Sequence, residues 1–390
     1  MNFHKIILLF SISVTFFSPR MWAQKKNSPF RPELNYTGDF FGNFTGGIKT
    51  GYTYLGMLDA GFYFSTDKAG WWKNGTLHTF IENTHGGLPS GTYAGDLQML
   101  SNIENGNHTY LFECWYSQKI GHLVLLAGLH DMNSVFANVD IAGTLINSSF
   151  GIMPDISLNM PVSIFPKTSP GLLASYSISP EWTIATAVYN GNPGDLQHDP
   201  HNTDFHLNKR DGYFSITEIQ FTGIVSARQE ITVKAGSYYH SGNYPHISDS
   251  SVMTNGNYGF YLLGSAKIYF PGTDRHRYAG LFIQSGRAPE VININSLYVG
   301  AGIVCKGLLA KRPDDMLALA AGRATMGSDY LHTAAVMADN ESMAELTWQY
   351  IINDKLSVQP DLQYIIHPGA EQLTASALSG IIRFQLNIGQ

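Results

Sequence analysis

Charge is scarce in this chain. Asp, Glu, Lys and Arg together make up 14% of its 390 residues, against ~25% in a typical soluble domain. The net charge is −6, and no cluster of Lys and Arg supplies the cations that phosphate contacts need, which excludes a nucleic-acid binder. Cysteine is scarcer still: Cys114 and Cys305 lie far apart in strand-like segments and read as isolated thiols packed as small apolar groups. After the first two dozen residues no apolar run approaches the ~20 needed for a membrane helix. No Walker-type phosphate loop and no serine on a nucleophile elbow occur, so neither an enzyme nor a cofactor is expected. The His-rich stretch 197–206, with His198, His201, His206, Asp199 and Asp204, matches no metal-ligand spacing.

What is present begins with an export signal over residues 1–23. Lys5 opens it, Ile6–Phe17 is apolar, and Met21-Trp22-Ala23 leads into Gln24, the order of a secretory leader with its cleavage site. Loss of Lys5 and Arg20 takes the mature chain, 24–390, from −6 to −8. Aromatics stand at 13% and glycine at 39 residues, which suits barrel strands with interface girdles and tight turns.

The plainest pattern is at Lys355–Ile366. Leu356, Val358, Pro360, Leu362, Tyr364 and Ile366 share one parity; Lys355, Ser357, Gln359, Asp361 and Gln363 share the other. Successive strand side chains point to opposite faces, so this strand has one apolar and one wet face. The same sorting sets Leu378, Ile382, Phe384, Leu386 and Ile388 against Arg383, Gln385 and Asn387, and Leu346, Trp348, Tyr350 and Ile352 against Glu345, Thr347 and Gln349. In 109–118 it sets Phe112, Cys114 and Tyr116 against Glu113 and Trp115; in 213–221 and 278–287 no clean alternation appears.

Strand-like runs fall at 46–56, 57–66, 75–85, 108–118, 122–131, 169–179, 182–190 and 213–223. They continue at 229–241, 257–270, 276–287, 293–306, 315–323, 341–352, 355–366 and 375–388, with 24–35 left as a polar lead-in. Sixteen strands is an even number, as a single-chain outer-membrane barrel requires. Links at 119–121, 179–181, 271–275 and 353–354 are short, whereas those at 86–107, 132–168, 191–212, 242–257 and 325–340 are long. The alternation of short and long links predicts an all-β, transmembrane antiparallel β-barrel with short periplasmic turns and long extracellular loops.

Several segments carry a family resemblance. LINSSFGIMPD at Leu145–Asp155, AVYNGNPGD at Ala187–Asp195 and ELTWQYIINDKLSVQPDLQYIIHPG at Glu345–Gly369 resemble the carbohydrate-selective porins of the OprB type. GGIKTGYTYLG at Gly46–Gly56, FECWYSQ at Phe112–Gln118 and KRPDD at Lys311–Asp315 do so too, in the right order along nearly all of the mature chain. The resemblance implies a sixteen-stranded outer-membrane barrel passing monosaccharides such as glucose. It also implies contact with outer-membrane lipid and lipopolysaccharide, assembly by the barrel-assembly machinery, and a homotrimer as one arrangement. A departure is the C-terminus: such barrels usually end on an aromatic residue, and here the last is Phe384.

The third extracellular link, Asp131–Thr168, is the one that narrows general porins, and here it holds Asp131, Asn133 and Asn147. Carboxylate and amide groups can each grip two sugar hydroxyls, although Asx turns use the same residues. On the inward parity, Glu113, Glu345, Gln349, Gln359, Asp361 and Gln363 are the expected pore wall, Trp115 a stacking surface for a pyranose, and Arg383 the cation at a constriction whose opposed charges orient polar solutes.

Overall fold

The computed structural model describes residues 28–389 apart from 206–209, 273–274 and 334–336; the expected leader lies outside them. Sixteen strands pair antiparallel, each with its sequence neighbours, and β1 pairs β16 to close the barrel. They are β1 (Phe30–Thr45), β2 (Gly51–Ser65), β3 (Gly75–Gly86), β4 (His108–Ile120), β5 (Leu123–His130), β6 (Ser169–Ser177), β7 (Trp182–Asn190) and β8 (Tyr213–Ser226). Then follow β9 (Gln229–Pro245), β10 (Met253–Tyr269), β11 (Tyr278–Arg287), β12 (Asn295–Lys306), β13 (Met316–Met326), β14 (Asn340–Asn353), β15 (Leu356–Ile366) and β16 (Ala377–Asn387). Closure leaves no sheet edge, the condition for a sheet to sit in hydrocarbon.

The number of strands agrees with the sequence pattern, but the first hairpin does not. The expected pair 46–56 and 57–66 is one strand, β2, while the second half of the expected lead-in, 30–35, belongs to β1. The inward side chains of β1 are Arg31, Glu33, Asn35, Thr37 and Asp39, so the segment looks like a soluble tail. Its outward row holds Pro32 and Gly38 among the apolar residues. Gly38 is required where it stands, since a Cβ there would lie 2.5 Å from the Tyr54 hydroxyl. Pro32 falls where β1 has β2 on one side and no ladder to β16 on the other, a position that needs no backbone donor. A second difference is the link after β9: the strands run on to Pro245 and from Met253, so it is 246–252 rather than 242–257.

The outer surface is an apolar band. Leu281, Ile283, Ile303, Leu319, Leu346, Leu362 and Ile382 are all exposed, with Trp71, Trp72, Trp182 and Trp348 toward the short-turn end. Moving such side chains into water-free surroundings is favourable by roughly 25 cal/mol per Å². Cys114 and Cys305 are both free. No helix among the described residues is long and apolar enough to cross a membrane.

Strand length sets where the interior is filled. β5 and β6 have 8 and 9 residues, against 17 each in β9 and β10. The loop joining β5 to β6, residues 131–168 and here L3, therefore leaves the wall low and turns inward. Its Phe136, Ile141, Ile146, Phe150, Met153 and Ile156 are buried against inward Phe214, Ile216, Tyr238, Leu263, Phe282 and Tyr298 of the wall. The molecule's largest hydrophobic cluster is thus inside the barrel, between L3 and one half of the cylinder. This explains the missing alternation in 213–221 and 278–287: apolar residues stand on both faces of those strands, Phe214, Ile216 and Phe282 toward L3 and Ile219, Leu281 and Ile283 outward.

Candidate functional site

A barrel interior can remain a water-filled channel or be occupied by loops. In this chain L3 and the loop joining β3 to β4, residues 87–107 and here L2, are held inside by inward carboxylates that accept loop amides. Glu345 takes the amides of Ile146 and Asn147 at 2.6 and 3.1 Å. Glu341 takes those of Leu97, Gln98 and Gly369 at 2.8, 3.0 and 2.7 Å. Glu218 takes Ala137 at 3.0 Å, and Glu113 takes Asp131 at 2.8 Å. A carboxylate suits this task because it offers several acceptor sites and no donor when ionised.

The expected wall residues face inward, but most are covered by these loops. Gln359 donates to Thr144 O and Thr347 Oγ1, both at 2.8 Å. Gln363 donates to Leu100 O and Asp361 Oδ1 at 2.8 and 2.9 Å and accepts from the Asn147 amide at 3.0 Å. Asn147 also caps the next turn through Ser149. Arg383 is paired side-on with Asp39, both bonds 2.8 Å, and its guanidinium reaches Ser101 of L2. Asp39 is 0% and Arg383 5% exposed, so this cation is a buried strut rather than an open constriction residue. Gln349 is half-buried lower on the wall, where it donates to Gln385.

Asp131 and Asn133 serve the loop itself. Asp131 accepts the Asn133 amide at 2.9 Å, and Asn133 donates to Phe136 O and Gly151 O, the Asx-turn use of these residues. Glu113 and Trp115 belong to a polar patch on β1–β4. His78 stands 3.2 Å from Glu113 and 3.8 Å from Glu33, stacks on Tyr63 at 4.1 Å, and lies 5.0 Å from the Trp115 ring. Phe112, expected on the lipid face, is buried against Tyr110 and Leu196. A bulge opposite Phe80 and Ile81 shifts the register there, and two residues then oppose one.

The structure leaves a second polar wall that the sequence pattern does not reveal. A recess of about 200 Å³ lies between Asn138–Asp140 of L3 and strands β8–β10, lined by Gln220, Thr222, Glu230, Thr232, Ser265 and Lys267 among others. These residues are close to the short-turn ends of their strands. On the long-loop side a wider recess of about 410 Å³ separates L3 from the loop joining β7 to β8 (191–212), with Met160, Phe165, Lys167 and Leu196 in its walls. Of the His-rich stretch in that loop, His198 pairs with Asp195, and His201 donates to the backbone carbonyl of Thr109 in β4. They are held apart by different partners.

Burial acts on the carboxyls carried by the two loops. Asp131 and Asp155 of L3 and Glu104 of L2 are each pushed up to about 7 by loss of water, partly offset by the hydrogen bonds they accept. Asp96 of L2 is raised to about 6 for the same reason. A folded-state value above the unfolded one means the loops favour the protonated acid. Their stabilisation is complete below the ordinary carboxylate range and is lost as pH rises through about 6–7. Amide-exchange protection in 131–165, corrected for the intrinsic pH dependence of exchange, should therefore fall between pH 5 and pH 8. Asp155→Asn should flatten part of the change, since its oxygen still accepts from Tyr238 (2.9 Å in the parent). Protection that stays level in the parent protein would remove these acids as the cause.

Comparison with known proteins gives a consistent relationship. Residues 49–387 match the profile of the family described as carbohydrate-selective porin, OprB family. Porin B of Pseudomonas aeruginosa is 23% identical over 403 residues, covering 90% of this chain and 86% of that protein. Among solved structures, the high-pH structure of Pseudomonas putida OprB superposes with a TM-score of 0.84 at 19% identity, covering 92% of this chain and 94% of that one. The outer-membrane channel DcaP of Acinetobacter baumannii gives 0.54 at 11% identity, covering 92% and 97%.

Proposed function

Since the chain belongs to the carbohydrate-selective porin, OprB family, we propose that it is a passive conduit for monosaccharides such as glucose. Sugar enters from the long-loop, extracellular side and leaves at the short-turn, periplasmic side. The observation that carries this reading is the pair of recesses on either side of an inserted, latched L3. A loop fixed at mid-wall narrows the lumen, while hydrogen-bonding groups on the remaining walls replace part of a sugar's water shell. Weak contacts let solute leave as readily as it enters. Residues 1–23 direct export and are removed. The apolar band meets outer-membrane lipid, with lipopolysaccharide at the long-loop rim, after insertion by the barrel-assembly machinery. The deciding experiment is liposome swelling with a graded panel of hexoses, disaccharides and charged solutes. Hexoses should enter faster than charged solutes of similar size; equal rates for all solutes of one size would reduce the protein to an unselective sieve.

A further inference from the structure

The recess on the β8–β10 wall has the chemistry of a binding site rather than of a bare passage. Its side chains form cross-strand rows in register. Gln220 lies opposite Lys234 and Thr222 opposite Thr232, and Thr232 lies opposite Ser265 and Glu230 opposite Lys267. Same-face neighbours of adjacent strands are ~5 Å apart and successive same-face residues of one strand ~7 Å apart. The array therefore presents donors and acceptors over the breadth of one hexose ring.

Its charges are neutralised locally. Lys267 sits 3.1 Å from Glu230 and Lys234 4.0 Å from Glu218, while Lys234 also donates to Asn138 of L3 at 2.9 Å. Asp140 adds a negative charge in the L3 segment that roofs the recess. Gln220 donates to Thr222 at 3.1 Å, and the Thr222 and Thr232 hydroxyls are 3.2 Å apart. Tyr269 donates to Glu230 at 3.0 Å, and its ring meets Tyr278 edge-on at 6.2 Å. Within the recess itself, Val139 and Leu263 set an apolar patch beside the polar row. Pyranoses combine the same two properties, an apolar ring face and a rim of hydroxyls.

The geometry points to this recess as a binding site for one uncharged pyranose on the short-turn side of L3. The inference rests on the sugar-channel reading above and adds the place where the sugar pauses and the charge class it must have. Gln220 and Thr232 contribute neutral hydrogen bonds; the Lys267–Glu230 pair offers a donor and an acceptor without net charge. An anionic sugar acid would find no net positive charge to answer it, since Asp140 and Glu230 balance the two lysines of the lining.

The test is current noise in planar bilayers, titrated with glucose and separately with gluconate, on the full-length protein and on Gln220→Leu and Thr232→Val. Heat-modifiable gel migration reports folding in each case. Losing one neutral hydrogen bond should raise the half-blocking glucose concentration about two- to tenfold, and gluconate should block less readily than glucose in the parent. If Trp115→Ala shifts the half-blocking concentration while both β8–β9 variants leave it unchanged, the sugar pauses on the opposite wall and the site is wrong. A lower half-blocking concentration for gluconate than for glucose would overturn the ligand class. Swelling by hexoses without any block would also overturn the site, leaving the channel reading intact; absence of both swelling and block would remove the two together.

Discussion

Replacing Arg383 with alanine is expected to destabilise the barrel by about 3–5 kcal/mol, because it strands a buried carboxylate. Asp39 is fully buried, and both of its oxygens are taken by the Arg383 guanidinium, with Ser101 adding a bond to one of them. The pair also bridges β1 and β16, the two strands that close the cylinder. Urea unfolding of the refolded protein, followed by heat-modifiable migration, measures the loss. The double change Asp39→Leu with Arg383→Met should recover most of it, since removing both partners leaves no lone charge. A single-variant loss below about 1 kcal/mol, the range of exposed pairs, would show that water reaches this site.

The second large effect is expected at Glu345, and it is a change in the channel as well as in stability. Glu345→Leu leaves the Ile146 and Asn147 amides without their acceptor, at about 1–3 kcal/mol for each buried group. Glu345→Gln keeps one carbonyl in place and should cost less. As the latch weakens, L3 should spend more time away from the β14–β15 wall, so single-channel conductance should rise in the order parent, Gln, Leu. Conductance that is equal in all three, with the barrel intact, would mean that the apolar packing of L3 fixes it without the carboxylate.

Much of the barrel is legible in the amino-acid sequence. Alternation at 355–366 puts Gln359, Asp361 and Gln363 on the inner face, where they lie, because lipid on one side and polar groups on the other impose a strict period of two. What the pattern does not convey is what those groups face. An inward glutamine beside water and an inward glutamine beneath a loop have the same neighbours in sequence. The place of L3 in the chain suggests a loop that narrows the lumen, yet its anchoring depends on partners about 200 residues away, such as Ile146 with Glu345 or Asn147 with Gln363. The β8–β10 recess is hidden for another reason. Phe214, Ile216, Tyr238, Tyr261 and Leu263 make the inner face of those strands apolar toward L3, which masks the polar residues nearer the turns. β1 escapes notice because its inner row is as hydrophilic as a tail.

The reach of the latches has a consequence for how the protein is built. The contacts that pin the loops join residues separated by 199 positions at Ile146 and Glu345 and by 244 at Leu97 and Glu341, and the strut at the seam joins residues 344 apart. Non-local contacts of this kind form late, since the intervening chain must be ordered first. Seating of L2 and L3 is therefore coupled to strands from the far half of the chain, and the entropy of bringing such distant residues together sets its pace.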